Sequence, residues 1–398
     1  MRAGRLRAMK NQILLLTVTC VAFSCAADPE TSTAPAVLKV IDRTVSLGPP
    51  PAGAYQVTTP TFEVQPITEV DICTVVHIKP KNGEKYIWVN QMESLVSKGT
   101  HHMNVFIGQF SFLDGYLGDG ASAAALGVPP GQYPCSELSV MESAFPIFPS
   151  QRENQQIQLP KGVGVPMPLP LMLIFSHHYF NITKDVVKMN ATLNVQGIPA
   201  DEVEQVAGLV FDGAAISIPG ESKKVSQDTC LFNRDVNVAL VSTHNHEWTE
   251  CATLHHYEGD GKSVEKTPFF VNHLWDQPPI LHFKPGEFSL KAGQGVHFAC
   301  HHRNYKKSEL TNDGTAQGEM CVFAAVVYPL KWSVPEVAEV LESGQLDKLL
   351  TFMDDAMGGC DAKASGLSAP FSSTPQPLQG GTSTCKGLEQ TESNVLVE

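Results

Sequence analysis

From Thr58 to Tyr328 the chain is a succession of short apolar or alternating runs cut by Gly, Pro and Asn, and this texture restricts it to antiparallel β-structure. Cys73-Thr74-Val75-Val76-His77-Ile78, Tyr86-Ile87-Trp88-Val89, Val105-Phe106-Ile107 and Leu171-Met172-Leu173-Ile174-Phe175 are examples from the first half. Val236 to Val241, Phe269 to Val271, Phe288 to Leu290 and Val322 to Val327 continue the pattern in the second. Runs of this length with turn residues between them read as sandwich strands. No fixed repeat is present, and Ile218-Pro219-Gly220 with the polar stretch after it makes a junction. One helix is expected, Val334 to Met357, with Pro335 near its start and Gly358-Gly359 as its stop. At 398 residues the chain is long enough for two domains, each with its own core. The expected fold is therefore all-β: two tandem antiparallel β-sandwich, jelly-roll-like domains at 54–215 and 216–332, then a short helix and a loose Ser/Gly/Thr/Pro-rich tail at 333–398.

The N-terminal 25 residues read as an export signal, with Arg2, Arg5, Arg7 and Lys10 ahead of the apolar run Ile13 to Phe23. Such a run is too short for a permanent membrane span. Ala22-Phe23-Ser24-Cys25 is a loose match to a lipoprotein cleavage site, which makes Cys25 a candidate lipidated residue; ordinary cleavage nearby, leaving a secreted protein, is the alternative. Residues 26–53, ending in Pro49-Pro50-Pro51, have the composition of a linker. A net charge of −13, with no Lys/Arg cluster past the N-terminus, argues against nucleic acid as a partner. Eight cysteines remain beyond Cys25, and an even number in an exported chain reads first as disulfides. With no C-x-x-C pair, zinc-ribbon, c-type haem and thioredoxin-like readings lose support.

The chain carries 14 histidines, and most of them are grouped: His101-His102, His177-His178, His244-Asn245-His246, His255-His256 and His301-His302. Imidazole is the commonest transition-metal ligand, and a site needs several. On a strand, His244 and His246 point to one face and can grip one ion. Adjacent His101 and His102 point to opposite faces unless the backbone departs from regular geometry, for which Gly99-Thr100 gives the opportunity. No H-E-x-x-H zinc-protease motif exists here, since Glu250 stands where the second His would be. His255-His256 and His301-His302 have surface histidines as their default reading. Met320 is the discriminating residue, because a thioether selects Cu(I) over zinc and hard cations.

These residues, taken in order from about Ile67 to Tyr328, resemble the copper type II, ascorbate-dependent monooxygenases, the family of the peptidylglycine and dopamine hydroxylases. Thr100-His101-His102-Met103 is similar to its H-H-M motif. Leu159-Pro160-Lys161-Gly162-Val163-Gly164 is similar to the stretch before its third histidine, which is followed by Tyr and so selects His178-Tyr179 over His177. Thr243-His244-Asn245-His246 resembles its H-T-H motif, and Gly318-Glu319-Met320-Cys321 its E-M-C segment. The resemblance also implies the bridges Cys73–Cys135 and Cys300–Cys321. Cys230 with Cys360, and Cys251 with Cys385, remain as pairings that it leaves open.

The resemblance implies two copper ions per chain, with ascorbate as reductant. His101, His102 and His178 would hold an electron-storing ion, and His244, His246 and Met320 the ion at which O2 is activated to hydroxylate a C–H bond of a small molecule. The groups that bind peptide in the peptidylglycine enzymes are absent: Ser242, Ala324 and Ser176 stand where that family has Arg, Tyr and Gln. Peptide amidation is therefore not expected. The alternative to an enzyme is an exported, non-catalytic protein that stores or senses copper.

Overall fold

The computed structural model describes residues 38–108, 128–138, 140–141, 144–150, 152–259, 264–312, 318–343, 345–356, 360, 362–363, 374–378 and 385–396. Within them the apolar runs form strands of an all-β fold, and from Lys39 onward the chain is one compact unit. The signal segment and Cys25 lie outside the described residues.

Alternation builds the first sandwich. One sheet runs in the order Gly131–Pro134, Thr68–Ile78, Leu171–Asn181, Thr100–Gly108, Ala144–Ser150. The other runs Gln205–Val206, Val163–Pro168, Tyr86–Val96, Ala191–Ile198, Tyr55–Thr58. Along Thr100–Gly108 every second residue from Met103 is buried, and Val105 and Ile107 share one apolar cluster with Leu173, Phe175, Val89, Met92 and Leu193. A second sandwich follows. Gly208–Gly213, Cys321–Tyr328, Val236–Asn245 and Leu281–His282 form one sheet; Phe270–Asn272, Thr249–Tyr257, Gly295–Asn304, Ser222–Leu231 and Ala362–Lys363 form the other. Phe298 and Phe323 stack between them with ring centroids 5.9 Å apart. Each such buried ring contributes about 1.5–3 kcal/mol.

The strand Cys321–Tyr328 is apolar on both faces. Phe323, Ala325 and Val327 belong to the core of the second sandwich, whereas Val326 and Tyr328, with Ala239, Leu240 and Ile280, belong to the cluster of the first. The two sandwiches thus share apolar packing along this strand, and that seam holds their histidines in a defined relation.

Several sequence expectations are corrected. The linker expected over 26–53 is partly structural: Val40–Asp42 pairs parallel with Val186–Lys188, and Arg43 donates to the Lys98 carbonyl at 2.9 Å. The boundary expected at 215 comes after the strand Gly208–Gly213, which pairs with Cys321–Tyr328 and belongs to the second sandwich. The expected single helix is two, Val334–Ser343 and Leu346–Ala356, with Gln345 outside both. Ser333 and Glu336 form a capping box at the first, and Leu341, Leu349 and Phe352 pack with Trp88, Val203 and Val206 of the first sandwich. At the far end, residues 388–394 are hydrogen-bonded to the second sandwich.

Four disulfides are present among the described residues: Cys73–Cys135, Cys230–Cys360, Cys251–Cys385 and Cys300–Cys321. The first and last are those the resemblance implied, and the other two resolve the open pairings. Four bridges indicate an oxidising, exported environment. No helix among the described residues is long and apolar enough to cross a membrane.

Candidate metal centre

Three of the candidate ligands come from two neighbouring strands. Thr100–Gly108 pairs antiparallel with Leu171–Asn181, placing His178 opposite His102, but the next pair is Tyr179 with Thr100. His101 is therefore the extra residue of a β-bulge, and the bulge is what brings two adjacent histidines to one site. Gly99 precedes it at φ +92°, where a Cβ would come within 2.9 Å of the Arg43 guanidinium and 3.0 Å of the Tyr179 hydroxyl. Only glycine suits that position.

The three imidazole rings are mutually 5.0 Å apart, centroid to centroid. Nδ1 of His101 lies 3.1 Å from Nδ1 of His102 and 3.1 Å from Nδ1 of His178. Three imidazole nitrogens bound at the usual ~2.0–2.1 Å to one ion are about 3.3–3.6 Å apart. Hydrogen bonds satisfy this arrangement poorly, because the central Nδ1 faces two others and carries either a proton or a lone pair. A cation satisfies all three at once. The far nitrogen of His178, Nε2, meets Glu69 Oε1 at 2.5 Å. This carboxylate favours the Nε2–H tautomer, which leaves the Nδ1 lone pair free for an ion.

Burial, then the neighbouring His178, lowers the pKa of His101 to about 4, against the opposing pull of Asp276 and Glu69. Burial and then His244 hold His102 well below the ordinary histidine value. Both rings are neutral at physiological pH, as metal ligands must be. His101, His102 and His178 each keep partial solvent access, so an ion can reach them.

The second group lies across the seam. His244 and His246 stand at the end of Val236–Asn245, with ring centroids 5.4 Å apart. Burial, then His246, lowers His244 to about 3. Met320 directly precedes the Cys321–Tyr328 strand, in which Cys321 is opposite Asn245 and Val322 opposite His244. One buried carboxylate joins the two segments: Glu319 Oε1 accepts from the backbone N–H of His246 at 2.6 Å and of Met320 at 2.8 Å. Burial raises the Glu319 pKa to about 7. The Cys300–Cys321 bridge pins the residue after Met320. The two groups adjoin, with the His102 and His244 rings 6.4 Å apart. Trp275, from the second sandwich, lies 4.5 Å from the His101 ring.

Glu69, Glu319 and Trp275 were not anticipated as parts of the site. Glu319 alone carried a signal, its place beside Met320. His177 faces away from the cluster, fully buried between Phe62 and Phe175, with no hydrogen bond at either nitrogen. His255, His301 and His302 are not surface residues, because they lie on central strands of the second sandwich. His255 bonds to Thr253 Oγ1 and the Glu265 carbonyl, and His302 to Thr249 Oγ1. His256 forms a second group with Glu258 and Glu265, whose carboxylates are exposed. Ser242, at the position where peptide enzymes have Arg, is buried and donates to the Pro279 carbonyl at 2.8 Å.

No protein-family model matches the chain, and no curated protein matches it. Among solved structures it is similar to one of PNGF-II, at 9% identity and a TM-score of 0.18 over 68% of this chain and 65% of that one. The chain thus spans just under two thirds of that protein, and a likeness this weak carries no argument about fold or function.

Proposed function

We propose that the chain is a divergent copper type II, ascorbate-dependent monooxygenase that hydroxylates a small molecule with O2. The observation that carries this reading is the convergence of three imidazoles, with His101 Nδ1 3.1 Å from the Nδ1 atoms of both His102 and His178, beside a second histidine pair. The donor set fits copper: imidazoles suit it, and a thioether at Met320 selects its reduced state. His101, His102 and His178 would hold one ion, and His244, His246 and Met320 the other. Bound copper supplies one-electron redox chemistry and the activation of O2, with ascorbate as the source of electrons.

The chain's own residues do the positioning. Glu69 keeps the His178 ring turned with Nδ1 inward. Glu319 holds the backbones of His246 and Met320 together, so both can address one point. The shared apolar seam fixes the two groups side by side and keeps water out of the packing between them. Ser242 is occupied by the Pro279 carbonyl and Ser176 lies 3.3 Å from Asp71, so no cation from these positions awaits a peptide carboxylate. This supports a substrate other than a glycine-extended peptide. A lipid anchor at Cys25 would tether the exported protein to a membrane surface.

Copper per chain, measured after loading and dialysis of protein lacking residues 1–25, tests the reading. Two ions are expected, falling to one in Met320→Ala, together with ascorbate-dependent O2 consumption that rises with the right substrate. One ion or none, or no effect of the substitution, overturns it. Two ions with no turnover would instead support the storage protein.

A further inference from the structure

The loop that carries Trp275 crosses from one sheet of the second sandwich to the other, between Phe270–Asn272 and Leu281–His282. Its base is tied to the strand of the second histidine pair. Asn272 Nδ2 donates to Thr243 Oγ1 at 3.0 Å and to Asn245 Oδ1 at 3.4 Å, the two residues flanking His244. Its tip reaches the first group, where the Trp275 ring lies over His101 at 4.5 Å with a 51° tilt. His101 Nε2, the nitrogen not turned to the cluster, is buried without a hydrogen-bond partner.

Both legs of this loop are held by the end of the chain. On one side Thr391 exchanges bonds with Val271 at 2.8 Å each, Gln390 Oε1 accepts from the His273 N–H, and the Leu388 carbonyl meets His273 Nε2 at 3.1 Å. On the other, Ser393 Oγ accepts from the Ile280 N–H at 2.9 Å, the Asn394 N–H donates to the Ile280 carbonyl at 3.1 Å, and the Asn394 side-chain amide pairs with both backbone groups of His282. Cys251–Cys385 anchors the start of the segment.

We propose that Trp275 is a positioning residue of the three-histidine group, a wall that closes one side of His101, and that residues 388–394 are the strap that holds it there. An aromatic face over an imidazole that has no hydrogen bond at its outer nitrogen is what fixes that ring, since packing takes over the orienting task that Glu69 performs for His178. The group is then composite: ligands from one sandwich, a wall from the other, and a brace from the C-terminus. Its consequence for copper rests on the proposed function, whereas the wall itself can be tested on metal-free protein.

The test is the rate at which diethyl pyrocarbonate acylates His101, followed by peptide mass mapping, with half-buried His256 of the second sandwich as internal reference. Ending the chain after Lys386 keeps the Cys251–Cys385 bridge and removes the strap. This truncation and Trp275→Ala are each expected to speed acylation of His101 several-fold and leave His256 unchanged. Together they should do no more than either alone, because strap and wall act through one contact. Trp275→Phe, which keeps an aromatic face, should restore the slow rate. Unchanged acylation of His101 in both variants, or an effect of the truncation that persists fully in Trp275→Ala, overturns the proposal. Copper titration of the same proteins separates the two readings. Affinity of the first group is expected to fall about tenfold without the wall. A full-length chain that binds no copper but shows the acylation pattern sinks the copper function and leaves the wall standing. Equal affinity and equal acylation in every variant sinks the wall alone.

Discussion

His177 and His178 are neighbours with opposite fates, and the pleat separates them. His178 faces the cluster, whereas His177 is a neutral ring in an apolar slot with neither nitrogen bonded. A buried polar group with no partner costs roughly 1–3 kcal/mol. His177→Phe or His177→Leu is therefore expected to raise stability by about 1 kcal/mol in urea unfolding while copper binding stays at the wild-type stoichiometry. The resemblance, through the Tyr after His178, selects the same residue, but the apolar character of the slot around His177 depends on Phe62, a residue more than a hundred positions away. Glu69 is a similar case. On the proposed copper function, Glu69→Gln is expected to weaken binding of the first ion ~10-fold, a cost typical of lost carboxylate–histidine contacts, readable by competition with a copper chelator.

At the scale of elements, the sandwich strands were legible because period-two alternation and turn residues are local properties. The bulge at His101 was half legible: two adjacent histidines demand a break in the pleat, and Gly99 made one available. Its location needed the pairing partner. The central strands Thr249–Tyr257 and Gly295–Asn304 bring a further consequence. Burial, opposed by the Glu265 carbonyl, lowers His255 to about 4, and burial, then His255, against the pull of Asp228, lowers His297 to about 4. The unfolded chain titrates these rings near 6.5, so between that value and about 4 the unfolded state binds more protons. Their contribution is complete above 6.5 and is lost as pH falls, so the urea midpoint should decline from pH 7 to pH 4. His255→Gln with His297→Gln should flatten that decline. In the same sandwich, Cys300–Cys321 closes a loop of about 20 residues and contributes on the order of 3 kcal/mol. Replacing both cysteines by Ala should lower the urea midpoint accordingly and, on the proposed copper function, loosen the ion assigned to Met320 before that assigned to His101.

For the whole molecule the decisive feature is the seam. A strand that buries Phe323 on one side and Val326 and Tyr328 on the other cannot leave one sandwich without exposing the other. Calorimetry of the exported chain is expected to give one transition, not two. Leu240→Ala, which opens the seam, should cost about 2–5 kcal/mol and lower that single midpoint without splitting it. Separate transitions for the two halves would refute the shared-core description.

The chain's local chemistry determined that it is a disulfide-bridged β-protein with grouped histidines, because alternation, turn residues and cysteine number are written residue by residue. The surplus of His255, His301 and His302 could not be sorted from the ligand set in this way, since burial is a property of the sheet and not of the residue. Only the tertiary structure decided that three Nδ1 atoms converge, that Glu69 and Glu319 brace their neighbours, and that the C-terminal segment reaches the loop above His101. The contacts of His178 with His101, Glu69 with His178, Glu319 with His246 and Trp275 with His101 join residues distant in the chain, and their distances are set by sheet register and by packing across the seam, which no local pattern encodes.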